Sequence, residues 1–269
     1  MTGQQIRLGK LFSGGNTVVV AVDHGEFDGP IPKLENVPVV VSKINPSVDA
    51  ILLSPGMIKH CGEAFAFKGA PMPIVRINWA TTYCFTWQYE QGATVPAISP
   101  AEAVAAGAEA VLISLSLKTG SEPRDADNIR IFCELANQAR HCGVPVIGEY
   151  FPARGEGVTG TELHKEVKIG SRILAELGAD AIKTFHTERF REVVDGCPVP
   201  IWALGASRLP TMLDALTLAR REIDDGARGV VFGRNAFSWP DSRQFQAALV
   251  EVVRNGKQPA EALQACGLK

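Results

Sequence analysis

Apolar residues in this 269-residue chain gather in short continuous runs. They are TVVVAVDHG (17–25), AILLSPG (50–56), IVRINW (74–79), AVLISLS (110–116), VIGEYF (146–151), AIKTFH (181–186), PIWALG (200–205) and GVVFGR (229–234). Their starts lie 19 to 36 residues apart, about the repeat of one strand followed by one helix. Hydrophobicity that is continuous rather than alternating marks strands covered on both faces, as in a parallel sheet.

Helical stretches fill most of the gaps. Ser99 reads as an N-cap, with Pro100 at the first helical position and Glu102 closing a capping box. The stretch 124–142 runs into Gly143, a fitting residue just past a helix end. The stretch 161–177 sets Leu163, Val167, Leu174 and Leu177 near one face and stops at Gly178, and Pro210 opens a helix over 210–225 that Gly226 closes. GAEAVLI, GVPVIGE, GADAIKT and GARGVVF share a pattern in which a helix ends at Gly and turns at once into a strand. Eight strands with helical connections and no Pro/Ser-rich linker predict an α/β fold, a single (β/α)8 TIM barrel over 1–269 with a short N-terminal extension and a C-terminal helix. A doubly wound open sheet is the rival, but no GxGxxG or Walker A loop supports it.

Composition narrows the partners. Hydrophobic residues make up 46% and charged residues 21%, enough apolar material for a sizeable core. No apolar run approaches the roughly 20 residues that span a bilayer, and the start MTGQQIRLGKLFSGG has no apolar segment of a secretory signal. A net charge of −2 without a Lys/Arg run points away from nucleic acid and membrane surfaces. The six cysteines show no C-x-x-C and no zinc spacing, which reads as a reduced, cytoplasmic compartment and a chain without a bound metal.

In a barrel the chemistry sits where the strands end, which singles out Asp23, His24, Asn78, Glu149, Tyr150, Lys183, 205–207 and 233–235. Lys183 stands inside an apolar strand, where a solvated lysine has no reason to be. A desolvated amine can attack a carbonyl to form a Schiff base; the alternative is an ion pair with Asp23 or Glu149 in the barrel interior. Asp23 ends an apolar strand and is placed to pair with Lys183, relay protons or bind hydroxyls. His24 reads more simply as a structural histidine. Gly205-Ala206-Ser207 and Gly233-Arg234-Asn235 end the last two strands, where small residues let the backbone approach a phosphate and Arg234 adds a charged contact. Tyr83, Phe85, Trp87 and Tyr89 alternate, which predicts a hairpin or extended lid whose aromatic face packs on the barrel or a neighbouring subunit, with stacking on a ligand as the alternative.

VDHGEFDGP, GADAIKTFHTE, GCPVPIWALGASRLP and GARGVVFGRN together resemble the DeoC/LacD/FbaB-type class I aldolases, from about residue 17 onward. Within that family the nearest branch holds archaeal-type fructose-bisphosphate aldolases, ADH synthases and the autoinducer-2 thiolase. The resemblance implies a homo-oligomeric barrel lyase, decameric in many members, that works through a lysine Schiff base without a cofactor. It makes Lys183 the Schiff-base lysine and Asp23 the catalytic carboxylate. His24, Gly205, Ala206, Ser207, Gly233 and Arg234 fall on the substrate- and phosphate-binding positions. The archaeal-type tyrosine position is Phe151 here, so Tyr150 is preferred as the proton-transfer residue, reached through a bulge, with Glu149 as the alternative.

The expectation is therefore a class I aldolase, fructose-bisphosphate aldolase-like, acting on a phosphorylated ketose or related sugar phosphate. The alternatives are 3-hydroxy-5-phosphonooxypentane-2,4-dione thiolase-like transfer to coenzyme A, and a non-catalytic phosphosugar-binding barrel.

Overall fold

The computed structural model describes residues 2–205 and 207–268; Ala206, expected in a phosphate loop, lies outside the described residues. The described residues form ten strands: β1 Thr17–Ala21, β2 Ala50–Leu53, β3 Met72–Arg76, β4 Asn78–Ala80, β5 Thr94–Pro96, β6 Ala110–Leu115, β7 Val146–Tyr150, β8 Ala181–Phe185, β9 Ile201–Leu204 and β10 Gly229–Phe232. Eight close into a parallel barrel in the order β1-β10-β9-β8-β7-β6-β3-β2, with helices between them, a single (β/α)8 TIM barrel. Strands β4 and β5 form a separate antiparallel pair above β3.

Side chains alternate along each strand and so build two cores. Val19, Ala21, Ala50, Leu52, Met72, Ile74, Ala110, Leu112, Ile147, Ala181, Trp202 and Val231 fill the barrel interior. The intervening residues, among them Val18, Val20, Ile51, Ile113 and Ile182, face the helices. The N-terminal helix Gly3–Leu11, closed by a Thr2/Gln5 capping box, leads Leu11 and Phe12 onto the interior core, and the Phe12 ring lies 5.8 Å from Trp202.

The capping chemistry decides the helix limits. Ser99 and Glu102 make the expected capping box ahead of helix Pro100–Ala105. Gly178 and Gly226 take φ of 101° and 102°, left-handed values that let helices Gly160–Glu176 and Met212–Asp224 turn straight into β8 and β10. Pro210 stays outside its helix, because Thr211 is the N-cap and forms a capping box with Asp214. The aromatic run also departs from expectation. The hairpin strands are β4 and β5, and the residues between them curl through a 3-10 turn at Thr81–Tyr83 and positive φ at Gln88 and Gly92. Tyr83 is thereby buried, while Phe85, Trp87 and Tyr89 are exposed. No helix among the described residues is long and apolar enough to cross a membrane.

Candidate active site

The inward register continues past the apolar layers to the carboxyl ends of the strands. Counting by twos from Ile74, Ile147 and Ala181 reaches Arg76, Glu149 and Lys183; counting from Ala21 reaches Asp23. Glu149 and Lys183 stand side by side in the β7–β8 register. All four side chains are buried. Arg76 Nε donates to Asp23 Oδ2 at 2.8 Å and its Nη2 donates to Glu149 Oε2 at 2.6 Å. The other Glu149 oxygen pairs with Lys183 Nζ. Two carboxylates and two cations thus make one charge-balanced layer.

Electrostatics keep Asp23, Glu149 and Arg76 ionised. Burial works to raise the Asp23 carboxyl, but the charges of Arg76 and Lys183 outweigh it and hold the group at about 2. Glu149 is held below the usual range in the same way, burial opposing and Arg76 with Lys183 prevailing. Arg76 is driven further toward its charged form by Glu149 and Asp23, against burial. Burial pushes His24 down to about 4, so its imidazole is neutral near pH 7.

Above the layer opens a cavity of about 590 Å³. Asp23, Arg76, Glu149 and Lys183 line it with His24, Gly205, Gly233, Arg208 and Arg234, and Phe27, Tyr83, Phe85 and Phe151 form an aromatic wall. The rings interlock: Tyr83 lies 4.5 Å from Phe151 and 4.8 Å from Phe27 between centroids, with the Arg76 guanidinium 4.7 Å over it. A cavity this size, mostly apolar with a few convergent polar groups, suits a small organic substrate.

Tyr150 is not at this site. The strand does not bulge, so Tyr150 keeps the outward register of Val146 and Gly148. Its ring packs over Gly170 of helix Gly160–Glu176, where a Cβ would collide with it, and its hydroxyl donates to Glu166 Oε2 at 3.3 Å. Burial, with the Glu166 carboxylate beside it, pushes the phenol up. Glu149 is the member of this pair that faces Lys183. Phe151 lines the cavity but brings no hydroxyl.

The two last loops meet above β9 and β10. Gly205 and Gly233 are required by space: a Cβ on the first would lie 2.7 Å from the Phe232 ring, and one on the second would strike the His24 ring. His24 also packs edge-on to Phe237 at 5.7 Å. Asn235 ties the loops together, donating to the Gly205 and Ser207 carbonyls at 2.8 and 2.9 Å. Asn78 is likewise structural, donating to and accepting from the Ser114 backbone at 2.8 Å each way. Ser207 and Arg234 are brought together by an acid: the Ser207 hydroxyl donates to Glu156 Oε2 at 3.2 Å and Arg234 Nη2 to Glu156 Oε1 at 3.1 Å. Among the described residues, no group of three His, Cys, Asp or Glu side chains is arranged to hold a metal.

Sequence reasoning missed Arg76, Tyr83 and Glu156 as site residues. Arg76 carried the same signal as Lys183, a charge at an inward position of an apolar strand. Tyr83 stood out only for its ring, as one of an alternating aromatic run, and Glu156 carried no signal.

Residues 17–239 match the model of the family described as DeoC/LacD family aldolase. An uncharacterized aldolase of Saccharolobus solfataricus is 31% identical over 268 residues, covering 98% of each chain. A 3-hydroxy-5-phosphonooxypentane-2,4-dione thiolase of Yersinia pestis is 29% identical over 97% of this chain and 86% of its own. Among solved structures, a Schiff base forming fructose-1,6-bisphosphate aldolase superposes with a TM-score of 0.77 at 25% identity, covering 92% of this chain and 98% of that one.

Proposed function

The chain belongs to the DeoC/LacD aldolase family, and on that premise we propose that it is a class I aldolase that makes or breaks a C–C bond in a phosphorylated ketose or related sugar phosphate. The observation that carries this reading is the Lys183–Glu149 pair, buried at the carboxyl end of the barrel and open to the cavity.

The reaction follows from the pair. Lys183 passes a proton to Glu149, and the neutral amine adds to the substrate carbonyl. Glu149 returns that proton to the carbinolamine hydroxyl, water leaves, and a protonated Schiff base remains beside a carboxylate. The iminium then accepts the electrons of the breaking C–C bond, giving an enamine and an aldehyde. Asp23, fixed by Arg76, keeps the guanidinium in place and balances its charge. At the rim, Arg208, Arg234 and Ser207 supply the anion-binding groups for phosphate, which must displace Glu156.

The similarity to the thiolase supports a second reading, in which the same Schiff base hands its fragment to coenzyme A. The test is to incubate the protein with dihydroxyacetone phosphate, fructose 1,6-bisphosphate, tagatose 1,6-bisphosphate and 2-deoxyribose 5-phosphate in borohydride, with and without coenzyme A. Adduct mass on Lys183, lost in Lys183→Met, is the expected result. An adduct on another lysine, or none, refutes the Schiff-base reading. Turnover that requires coenzyme A selects the thiolase chemistry.

A further inference from the structure

Polar side-chain atoms that are buried without a hydrogen-bond partner are rare and costly, so a cluster of them lining a cavity marks what the cavity is built to receive. Such atoms on side chains that line this cavity include Tyr83 Oη, Arg76 Nη1 and His24 Nδ1. Arg76 has committed its other nitrogens to Asp23 and Glu149, so Nη1 is its remaining donor. Glu149 and Ser114 face the Tyr83 hydroxyl outside hydrogen-bond geometry. The phenol is held in place without using its oxygen: Phe27, Phe151 and the Arg76 guanidinium pack around the ring. A rigid ring in a cavity wall whose buried hydroxyl has no partner is a poor stability device and a good recognition device.

We propose that Tyr83 is a further catalytic residue: with Arg76 Nη1 it binds the substrate hydroxyl on the carbon whose C–C bond breaks, and it relays that hydroxyl's proton to Glu149. The inference rests on the aldolase reading above. In the cleavage step the hydroxyl O–H bond breaks and its electrons form the aldehyde C=O. The C–C bond breaks and its electrons form the enamine on the Lys183 iminium. Tyr83 takes the hydroxyl proton as its own proton passes to the Glu149 carboxylate, so the phenol ends as it began. Arg76 Nη1 donates to the same substrate oxygen and stabilises the charge that develops there. In the aldol direction the relay runs backward, and the oxygen formed from the aldehyde is protonated through Tyr83. Burial, reinforced by Glu149, keeps the phenol protonated far above neutral pH, which suits a relay rather than a free base.

The decisive variant is Tyr83→Phe, which keeps the ring and its packing and removes one unpartnered oxygen. It is assayed on the sugar phosphate of the panel above that wild type turns over, alongside borohydride trapping and thermal unfolding. We expect kcat to fall about 10²–10⁴-fold, the range for a positioned proton-transfer group. Trapping at Lys183 stays within about threefold of wild type, because Lys183 and Glu149 are untouched, and the melting temperature does not fall. Turnover within about threefold of wild type overturns the proposal, and so does a wild-type adduct that never leads to C–C cleavage. A melting temperature and a trapping rate that fall in step with turnover also overturn it, by making the hydroxyl structural. Failure of wild type to form any Lys183 adduct is a different result: it removes the aldolase reading itself, and this inference with it.

Discussion

Replacing Glu149 by Gln keeps the shape of the side chain and removes the group proposed to exchange protons with Lys183. The amide oxygen of the Glu149→Gln variant can still accept from Arg76 Nη2, which now sits 2.6 Å from a carboxylate oxygen, so the guanidinium is not stranded. The amide cannot take the lysine proton before attack or return it to the carbinolamine hydroxyl. Loss of such a group is worth about 10²–10⁴-fold in rate, or roughly 3–5 kcal/mol of barrier. The assay is the rate of adduct formation on Lys183 under borohydride at pH 7, read by mass against time, so that imine formation is seen apart from turnover. Glu149→Gln should slow it by that factor. Tyr150→Phe serves as the contrast: its hydroxyl bonds Glu166 outside the barrel, and trapping should match wild type. A Glu149→Gln protein that is folded and traps substrate at the wild-type rate would refute the assignment, and slow trapping in Tyr150→Phe would restore the tyrosine.

In the proposed phosphate site Glu156 competes with the ligand for Ser207 and Arg234, and its partly exposed pair with Arg234 is worth about 0–1 kcal/mol. Glu156→Gln should therefore tighten a phosphorylated substrate by up to about fivefold and leave its dephosphorylated analogue unchanged, while Arg234→Ala weakens only the phosphorylated form; equal effects on both compounds would remove the phosphate role. Burial raises Glu26 to about 8 against an ordinary 4.5, so the folded state favours its neutral form. That contribution is complete below about pH 4.5 and is lost as pH rises through about 8, so Glu26→Gln should gain a few kcal/mol in urea unfolding at pH 9 and almost nothing at pH 4.5; a gain independent of pH would show another cause.

The barrel was legible because its strands are buried on both faces and its helices end in glycines. All eight apolar runs contain the barrel strands within a few residues. The strand-borne part of the site was legible for the same reason, since a charge at an inward position of such a strand has only the barrel interior to occupy. Lys183, Asp23 and Glu149 follow from that alternation, and Arg76 follows by the same count from Ile74. Tyr150, which the resemblance favoured, follows the same alternation outward and meets Glu166 instead of the cavity. The loop residues obey no period. Tyr83 enters the cavity because the chain curls where an extended hairpin was expected, and Glu156 meets Arg234 across 78 positions of sequence.

On the proposed Schiff-base route, the four inward charges explain why a proton acceptor belongs on β7. Removing one member of a buried ion pair costs on the order of 3–5 kcal/mol, so a layer this buried favours states in which charge is balanced. At rest Lys183 and Arg76 balance Glu149 and Asp23. After the Schiff base forms, the iminium nitrogen carries the same single positive charge as the ammonium it replaced, and Glu149 is again a carboxylate. When the C–C bond breaks, the nitrogen becomes neutral, and balance survives only if a proton enters the layer at the same moment. Glu149 is the carboxylate positioned to take it beside that nitrogen, while Asp23 stays ionised against Arg76. A proton held anywhere outside the layer would leave one buried negative charge unmatched. In that proposal the Lys183–Glu149 ion pair is the arrangement that lets the lysine do covalent chemistry there.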